Sequence, residues 1–290
     1  MPDTPNFLPA TELVDRFRRK TLSPVEVTKA CLARIDALQE KLNAFIVIDH
    51  EGALAAARES EARWMNGDPR GMVDGVPVTI KDIIATKKWP TGRGSKTAPM
   101  VADADAPAVA RLTEQGAVTL GKTTTPEFGW KGLCDSPLSG ITRNPWNPEM
   151  TPGGSSGGAA VAAACGMGAL HIGTDGGGSV RIPAAFTGVF GHKPSYGRVP
   201  AYPPSAMGTL AHLGPLTRTV EDAALMLTVM SGPDDRDSTA LPHVTRDYRI
   251  GINDGVRSLR IGYSADLGHA MVDAEIAECV AAAAQSFEDL

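Results

Sequence analysis

Apolar residues recur every three or four positions in the first quarter of the chain, a period that predicts amphipathic helices. One helix begins with an N-cap at Ser23, a proline at the first helical position, Pro24, and Glu26 three residues after the cap. The apolar side chains that follow would share one face: Leu32, Ile35, Leu38 and Leu42. Residues 45–49 are typical of a short strand, and the alanine-rich residues 51–65 predict a second helix.

The pattern changes after residue 70, where short β-branched runs alternate with helices rich in small residues. Such alternation is typical of an α/β layered fold. We expect strands at 76–84 and 117–120, helices at 105–115 and 157–165, and a further helix capped by Thr219. The chain is interpreted as one domain, in which residues 1–70 form a helical segment packed on a core that spans residues 71–290.

The last residues are interpreted as half of a β-α-β crossover. Leu259 to Ser264 predict a strand, and a helix follows from Asp273. The apolar face of that helix holds Ile276, Val280, Ala283, Phe287 and Leu290, and no glycine or proline ends it. A crossover needs a further strand. We therefore expect the C-terminal portion of the fold to be missing, and the chain alone to have weak activity and to self-associate.

Composition and charge exclude several classes of protein. The apolar fraction of 42% and the charged fraction of 21% are those of a folded globular protein. A formal net charge of −5 argues against direct nucleic-acid binding. No run approaches the roughly 20 apolar residues of a membrane helix. Widely spaced cysteines are typical of free thiols in a reducing compartment, so we expect a cytoplasmic protein; they are Cys31, Cys134, Cys165 and Cys279.

A lysine within an apolar strand is the first candidate for chemistry. The segment 75–82, GVPVTIKD, places Lys81 after alternating apolar residues, which predicts that the lysine is buried. A free lysine has a pKa near 10.4 and is almost entirely charged at pH 7. Burial in an apolar site can lower that pKa by about 3 units. Lys81 is therefore a candidate general base.

Two glycine-rich turns carry the other candidates. The segment 152–158, PGGSSGG, contains Ser155, whose hydroxyl can both accept and donate a proton. The segment 173–181, GTDGGGSVR, contains Ser179, 24 residues after Ser155. Unobstructed backbone N–H groups can form a nest for an oxyanion, and the candidates here are Gly176, Gly177 and Gly178.

The three motifs, in this order and at this spacing, resemble the signature region of the amidase signature family, the Ser–cisSer–Lys amidases. The resemblance runs from about Val73 to Arg218. It implies that Ser179 is the nucleophile, Ser155 the bridging serine and Lys81 the base. It also implies an α/β fold with a central mixed β-sheet and helices on both of its faces.

The resemblance assigns supporting roles to neighbouring residues. Asp175 and Arg181 would hold the turn of the nucleophile, and Ser156 would cap the following helix or support the site. Family members often carry a larger residue where Gly176 stands, which implies either a looser loop or a wider acyl pocket here.

The function implied is hydrolysis of a linear amide through an acyl-enzyme, without cofactor or metal. The expected partner is a small amide, with no membrane and no nucleic acid bound directly; a homo-oligomer is left open. Two alternatives remain: the glutamine-splitting subunit of a tRNA-dependent amidotransferase, and an inactive or scaffolding fragment.

One motif points elsewhere. Residues 116–123, GAVTLGKT, match the phosphate-binding pattern G-x-x-x-x-G-K-T. That loop requires a strand before its first glycine and a helix after its lysine. Here a predicted helix precedes Gly116 and the residues between the two glycines are typical of a strand, so the context is inverted and nucleotide binding is not expected.

Overall fold

The computed structural model describes residues 4–242 and 244–290. They fall into two compact units, Met1–Arg249 and Ile250–Leu290. The sequence predicts one domain, divided at residue 70 into a helical segment and a core, whereas the two units meet at residue 249. The division at residue 70 stays a prediction.

Three helices form the first part of the larger unit: α1 (Ala10–Arg18), α2 (Pro24–Leu42) and α3 (His50–Asn66). Helix α2 begins as predicted. The side chain of Ser23 accepts the N–H of Val25, and the carboxylate of Glu26 accepts the N–H of Ser23 at 2.8 Å. This reciprocal capping box supplies partners for N–H groups that a helix start leaves unpaired.

The strands build a mixed sheet at the centre of the larger unit. In chain order they are β1 (Phe45–Ile48), β2 (Pro77–Lys81), β3 (Val118–Thr123), β4 (Asp135–Ser136), β5 (Gly140–Ile141), β6 (Leu170–Asp175), β7 (Phe190–Gly191) and β8 (His212–Thr217). Six of them form one sheet in the order β1-β3-β2-β6-β8-β7, and β4 pairs with β5. Strand β2 runs parallel to both neighbours, whereas β1, β8 and β7 are antiparallel to theirs. A mixed α/β fold is thereby confirmed.

The remaining helices of the larger unit pack on this sheet or on each other. They are α4 (Pro107–Glu114), α5 (Gly157–Ala164), α6 (Arg181–Thr187) and α7 (Val220–Met230). Helix α5 consists of glycine, alanine and one valine, and its residues are all buried apart from the last. Small side chains let its backbone approach strand β6 and helix α6 closely, which holds the two serine turns together.

The phosphate-loop pattern has the inverted context that its sequence predicts. Helix α4 precedes Gly116, and strand β3 contains Lys122. The amine of Lys122 is fully buried and lies 2.9 Å from the carboxylate of Asp82, which follows β2. Because its amine is buried and paired with a carboxylate, Lys122 stabilises the core and is not accessible to a phosphate.

An arginine and an aspartate attach the start of the chain to its later part. The guanidinium of Arg218 donates to four carbonyl oxygens, at 2.9 to 3.3 Å, on Asn6, Leu8, Ala163 and Gly168. The carboxylate of Asp222 accepts the N–H groups of Ala10 at 2.9 Å and Thr11 at 3.0 Å. Helix α1 is thus anchored to residues about 210 positions later in the chain.

In the smaller unit, the strand predicted at Leu259–Ser264 is wrong, whereas the helix is confirmed. Helix α8 (Ala274–Gln285) begins after Asp273, whose side chain accepts the N–H of Glu275. Leu259 to Ser264 have no ladder partner among the described residues, and their side chains are exposed. An extended segment needs a neighbouring strand to pair its backbone groups, so alternating apolar residues alone do not produce a strand.

Within the described residues, the structure has no helix with the length and apolar character needed to cross a bilayer.

Candidate active site

Lys81 is the last residue of β2, a strand that lies between the parallel strands β3 and β6. Its side chain is fully buried. Its amine donates to the hydroxyl of Ser155 at 2.6 Å and to the hydroxyl of Thr174 at 2.8 Å. Burial lowers the pKa of Lys81 to about 7, against the opposing influence of Cys134 and Asp175. A substantial fraction of this amine is therefore neutral at physiological pH and can accept a proton.

The serine turn before α5 presents one hydroxyl to Lys81 and uses the next for support. The peptide bond between Gly154 and Ser155 is cis, and Ser155 is buried. Ser156 stands at the N-cap position of α5, but its side chain does not cap the helix. Instead its hydroxyl donates to the carbonyl and accepts the N–H of Thr174, both at 3.2 Å. Ser156 thus fixes Thr174, which contacts Lys81.

The turn of Ser179 connects β6 to α6 and is built around the buried carboxylate of Asp175. That carboxylate accepts the N–H of Gly178 at 2.7 Å and of Val180 at 3.1 Å, and it pairs with the guanidinium of Arg181 at 2.8 Å. Burial alone would raise the pKa of Asp175, but Arg181 and the two N–H groups outweigh it and lower the pKa to about 2. The carboxylate stays ionised and holds the turn.

One predicted oxyanion donor is corrected by this geometry. The N–H of Gly178 is directed at Asp175, so it is already engaged and does not belong to the free donors. Its backbone φ of 114° lies in the left-handed region, which glycine adopts readily, and an added Cβ would come within 2.8 Å of Ile182. Gly176 and Gly177 stay the predicted donors.

A cavity of about 400 Å³ brings the candidate residues together. Ser155, Thr174, Asp175, Gly176 and Ser179 all line it. The two serine turns are also joined through their backbones, since the N–H of Ser156 donates to the carbonyl of Ser179 at 3.0 Å. Lys81 lies behind this wall and reaches it through the hydroxyls of Ser155 and Thr174. A volume of this size accommodates a small organic substrate.

Sequence reasoning missed several residues that shape the site. Thr174 supplies the second hydroxyl on Lys81, and the ion pair of Asp82 with Lys122 fixes the chain just after it. The cavity wall also includes Arg93 and Phe128. A polar residue at the end of a central strand could have indicated Thr174, but nothing local in the sequence marks Arg93. No group of three or more metal-ligating side chains occurs in the described parts of the chain.

Comparisons with known proteins agree with this architecture. A sequence profile of the Amidase family matches residues 26–290. The chain is 42% identical, over 98% of its length and 58% of the relative's, to one subunit of the glutamyl-tRNA(Gln) amidotransferase of Solidesulfovibrio magneticus. It is 40% identical, over 98% of its length and 60% of the relative's, to an acylamidase of Rhodococcus erythropolis.

A solved structure gives the same picture. A bacterial aryl acylamidase of the amidase signature family superposes with a TM-score of 0.90 at 37% identity, over 98% of this chain and 59% of that one. The chain therefore spans less than two thirds of the length of the relatives that it matches.

Proposed function

The chain belongs to the amidase signature family, and from that premise we propose that it hydrolyses a linear carboxylic amide through an acyl-enzyme on Ser179. The observation that carries the proposal is the buried amine of Lys81, whose pKa is lowered to about 7, at 2.6 Å from the hydroxyl of Ser155. A neutral amine at hydrogen-bonding distance is the arrangement that general-base catalysis requires.

The proton and the electrons move in two steps. Neutral Lys81 accepts the proton of Ser155, Ser155 accepts the proton of Ser179, and the oxygen of Ser179 bonds to the amide carbon. The carbon–nitrogen bond then breaks, and Ser155 returns a proton to the leaving nitrogen. Water attacks the acyl-enzyme by the same relay and releases the carboxylate. Gly176 and Gly177 would stabilise the oxyanion through their N–H groups.

The proposal is tested by covalent labelling of the purified protein with a serine-reactive probe. A neutral fluorophosphonate reacts only with an activated serine, and the modified residue is identified by peptide mass spectrometry. We expect modification at Ser179 and its loss in Ser179→Ala. Ser205→Ala is the matched control because Ser205 lines the same cavity. Release of ammonia or amine from a panel of amides then identifies the substrate.

Modification of another serine, or no modification of a protein that melts cooperatively, would overturn the assignment of the nucleophile. The absence of modification would favour the alternative of an inactive or scaffolding chain, whereas modification of another serine would assign the nucleophile to that residue.

A second candidate function is supported by the identity of 42% to a component of a tRNA-dependent amidotransferase. In that case the amide is glutamine and the ammonia passes to a partner. The two functions are separated by copurification: a stably bound partner protein and glutamine-dependent ammonia release favour the amidotransferase. A protein that purifies alone and prefers other amides favours the amidase.

A further inference from the structure

The cavity wall contains one permanently charged group without a carboxylate partner. Of the described residues that line the cavity, Arg93 is the only arginine or lysine and Asp175 the only acid, and Asp175 is paired with Arg181. The guanidinium of Arg93 makes one long contact, 3.5 Å from the carbonyl of Ala98. Its Nε is buried and has no acceptor among the described residues.

Glu127, the acidic residue just before Phe128, does not neutralise Arg93. Glu127 accepts the hydroxyl of Ser95 at 2.7 Å and forms no ion pair with Arg93 in the described part of the chain. Phe128 lies against the guanidinium instead, with its ring centroid 5.3 Å from the arginine Cζ. An aromatic face orients a guanidinium but leaves its N–H groups free to donate.

The backbone holds Arg93 and Phe128 in position. Both are non-glycine residues in the left-handed region, with φ of 55° and 52°. The N–H of Arg93 donates to the carbonyl of Asp82 at 2.9 Å, and the N–H of Phe128 donates to the carbonyl of Arg93 at 2.7 Å. Such conformations cost free energy and persist where surrounding contacts impose them, often at ligand sites. This pair is therefore attached directly to the segment that follows Lys81.

The same segment borders the catalytic serines. A Cβ added at Gly129, the residue after Phe128, would lie 3.4 Å from the hydroxyl oxygen of Ser155. Most of the remaining cavity wall is apolar, with Ile83, Met100, Trp130 and Met207 among its residues. A planar guanidinium matches the geometry of a carboxylate, which it can bind through two parallel N–H···O bonds.

We propose that Arg93 is a specificity residue that binds a carboxylate carried by the substrate on an apolar frame. This inference rests on the proposed amide hydrolysis at Ser179, and it names the class of amide: one with a negative charge away from the scissile bond. The relevant readout is the preference for a charged over a neutral ligand within each protein variant.

The test measures how strongly paired ligands slow fluorophosphonate labelling of Ser179. One pair carries the charge on the acyl side: 4-carboxybenzamide against 4-nitrobenzamide. The other carries it on the amine side: 4-acetamidobenzoate against 4-nitroacetanilide. Carboxylate and nitro groups have the same planar shape and nearly the same size, so the ratio of inhibition constants within a pair isolates the charge. The two pairs also distinguish the end of the substrate that Arg93 binds.

We expect the carboxylate to bind about tenfold or more tightly than its neutral counterpart in at least one pair, as is typical of a hydrogen bond to a charged group. Arg93→Gln should reduce that ratio to about one. Arg58→Gln, which removes a positive charge from an exposed position on α3, should keep it.

The inference is overturned if the wild type shows no preference in either pair, if the preference survives Arg93→Gln, or if Arg58→Gln abolishes it equally. Absence of labelling in the wild type is a separate result, which overturns the proposed function instead.

Discussion

Replacement of Lys81 tests the central element of the site. In Lys81→Met the apolar stem is kept and the amine is lost, so Ser155 keeps its place but loses its proton acceptor at 2.6 Å. We expect labelling of Ser179 at pH 8 to slow by about 10²- to 10⁴-fold, the usual contribution of a general base.

The magnitude follows from the pKa. An ordinary lysine, with a pKa of 10.5, is neutral in only about one molecule in 3000 at pH 7. At a pKa of about 7 the neutral fraction of Lys81 is close to one half. Burial thus increases the amount of active base about a thousandfold. The wild-type labelling rate should rise with pH, with a midpoint near 7, and reach a plateau above it.

The same shift predicts how stability depends on pH. Between about 7 and 10.5 the unfolded chain binds a proton on Lys81 that the folded protein does not bind. Lowering the pH across this interval therefore favours unfolding by about 1.4 kcal/mol per pH unit, other groups being equal. Lys81→Met lacks this dependence and should be more stable than the wild type at pH 7.

Labelling rates and urea unfolding of both proteins between pH 6 and 10 provide the measurement. Lys88→Met is the control, because it makes the same substitution at an exposed lysine that does not line the cavity. A wild-type midpoint near 10.5, or a Lys81→Met profile that runs parallel to the wild type with a small offset, would refute the reasoning.

Three further predictions concern residues around the site. Asp175→Asn should destabilise the protein by about 2 kcal/mol at pH 7. Because the pKa of Asp175 is lowered to about 2, the wild type should lose this contribution to stability as the pH falls from about 4 to 2, which urea unfolding at a series of acidic pH values measures. Lys122→Met should cost about 3 to 5 kcal/mol because it leaves the buried carboxylate of Asp82 unpaired, and added Asp82→Asn should recover part of the loss in thermal melts. Gly176→Ala brings a Cβ within 3.0 Å of the sulfur of Met207, so bulky ligands should protect Ser179 severalfold less while the melting temperature is unchanged.

Each of these has an outcome that contradicts it. Parallel acid unfolding curves for wild type and Asp175→Asn would mean that the carboxylate is not stabilised by its turn. A Lys122→Met protein as stable as the wild type would mean that Asp82 is neutral in the core. Equal protection by bulky ligands in Gly176→Ala would mean that this position does not limit the cavity.

Local signals in the sequence predicted much of the fold. The cap at Ser23 and the cap at Thr219 are both present, because capping depends on residues two to four positions apart. Alternation around Lys81 correctly indicated a buried strand. The strand at Leu259–Ser264 failed because a strand depends on a partner, which no local pattern supplies.

The site shows the same division between local and distant information. Glycine-rich turns predicted Ser155 and Ser179 as site residues, and both line one cavity in the structure. Their catalytic roles stay predictions. The engagement of Gly178 by Asp175 was not foreseen, since a run of glycines does not reveal which N–H groups the fold already uses. The pairing of Arg93 with Phe128 joins residues 35 positions apart and depends on backbone conformations that the sequence pattern does not indicate.

The anchoring of helix α1 by Arg218 has a consequence for biosynthesis. The ribosome produces Leu8 about 210 residues before the arginine that binds its carbonyl. At roughly 5 to 20 residues per second, that interval is about 10 to 40 seconds. During this time the carbonyls of Asn6 and Leu8 and the N–H groups of Ala10 and Thr11 lack the side chains that pair with them in the finished fold. The attachment of α1 through Arg218 and Asp222 therefore cannot form before residue 222 has been made, although this helix is the first part of the chain to be synthesised.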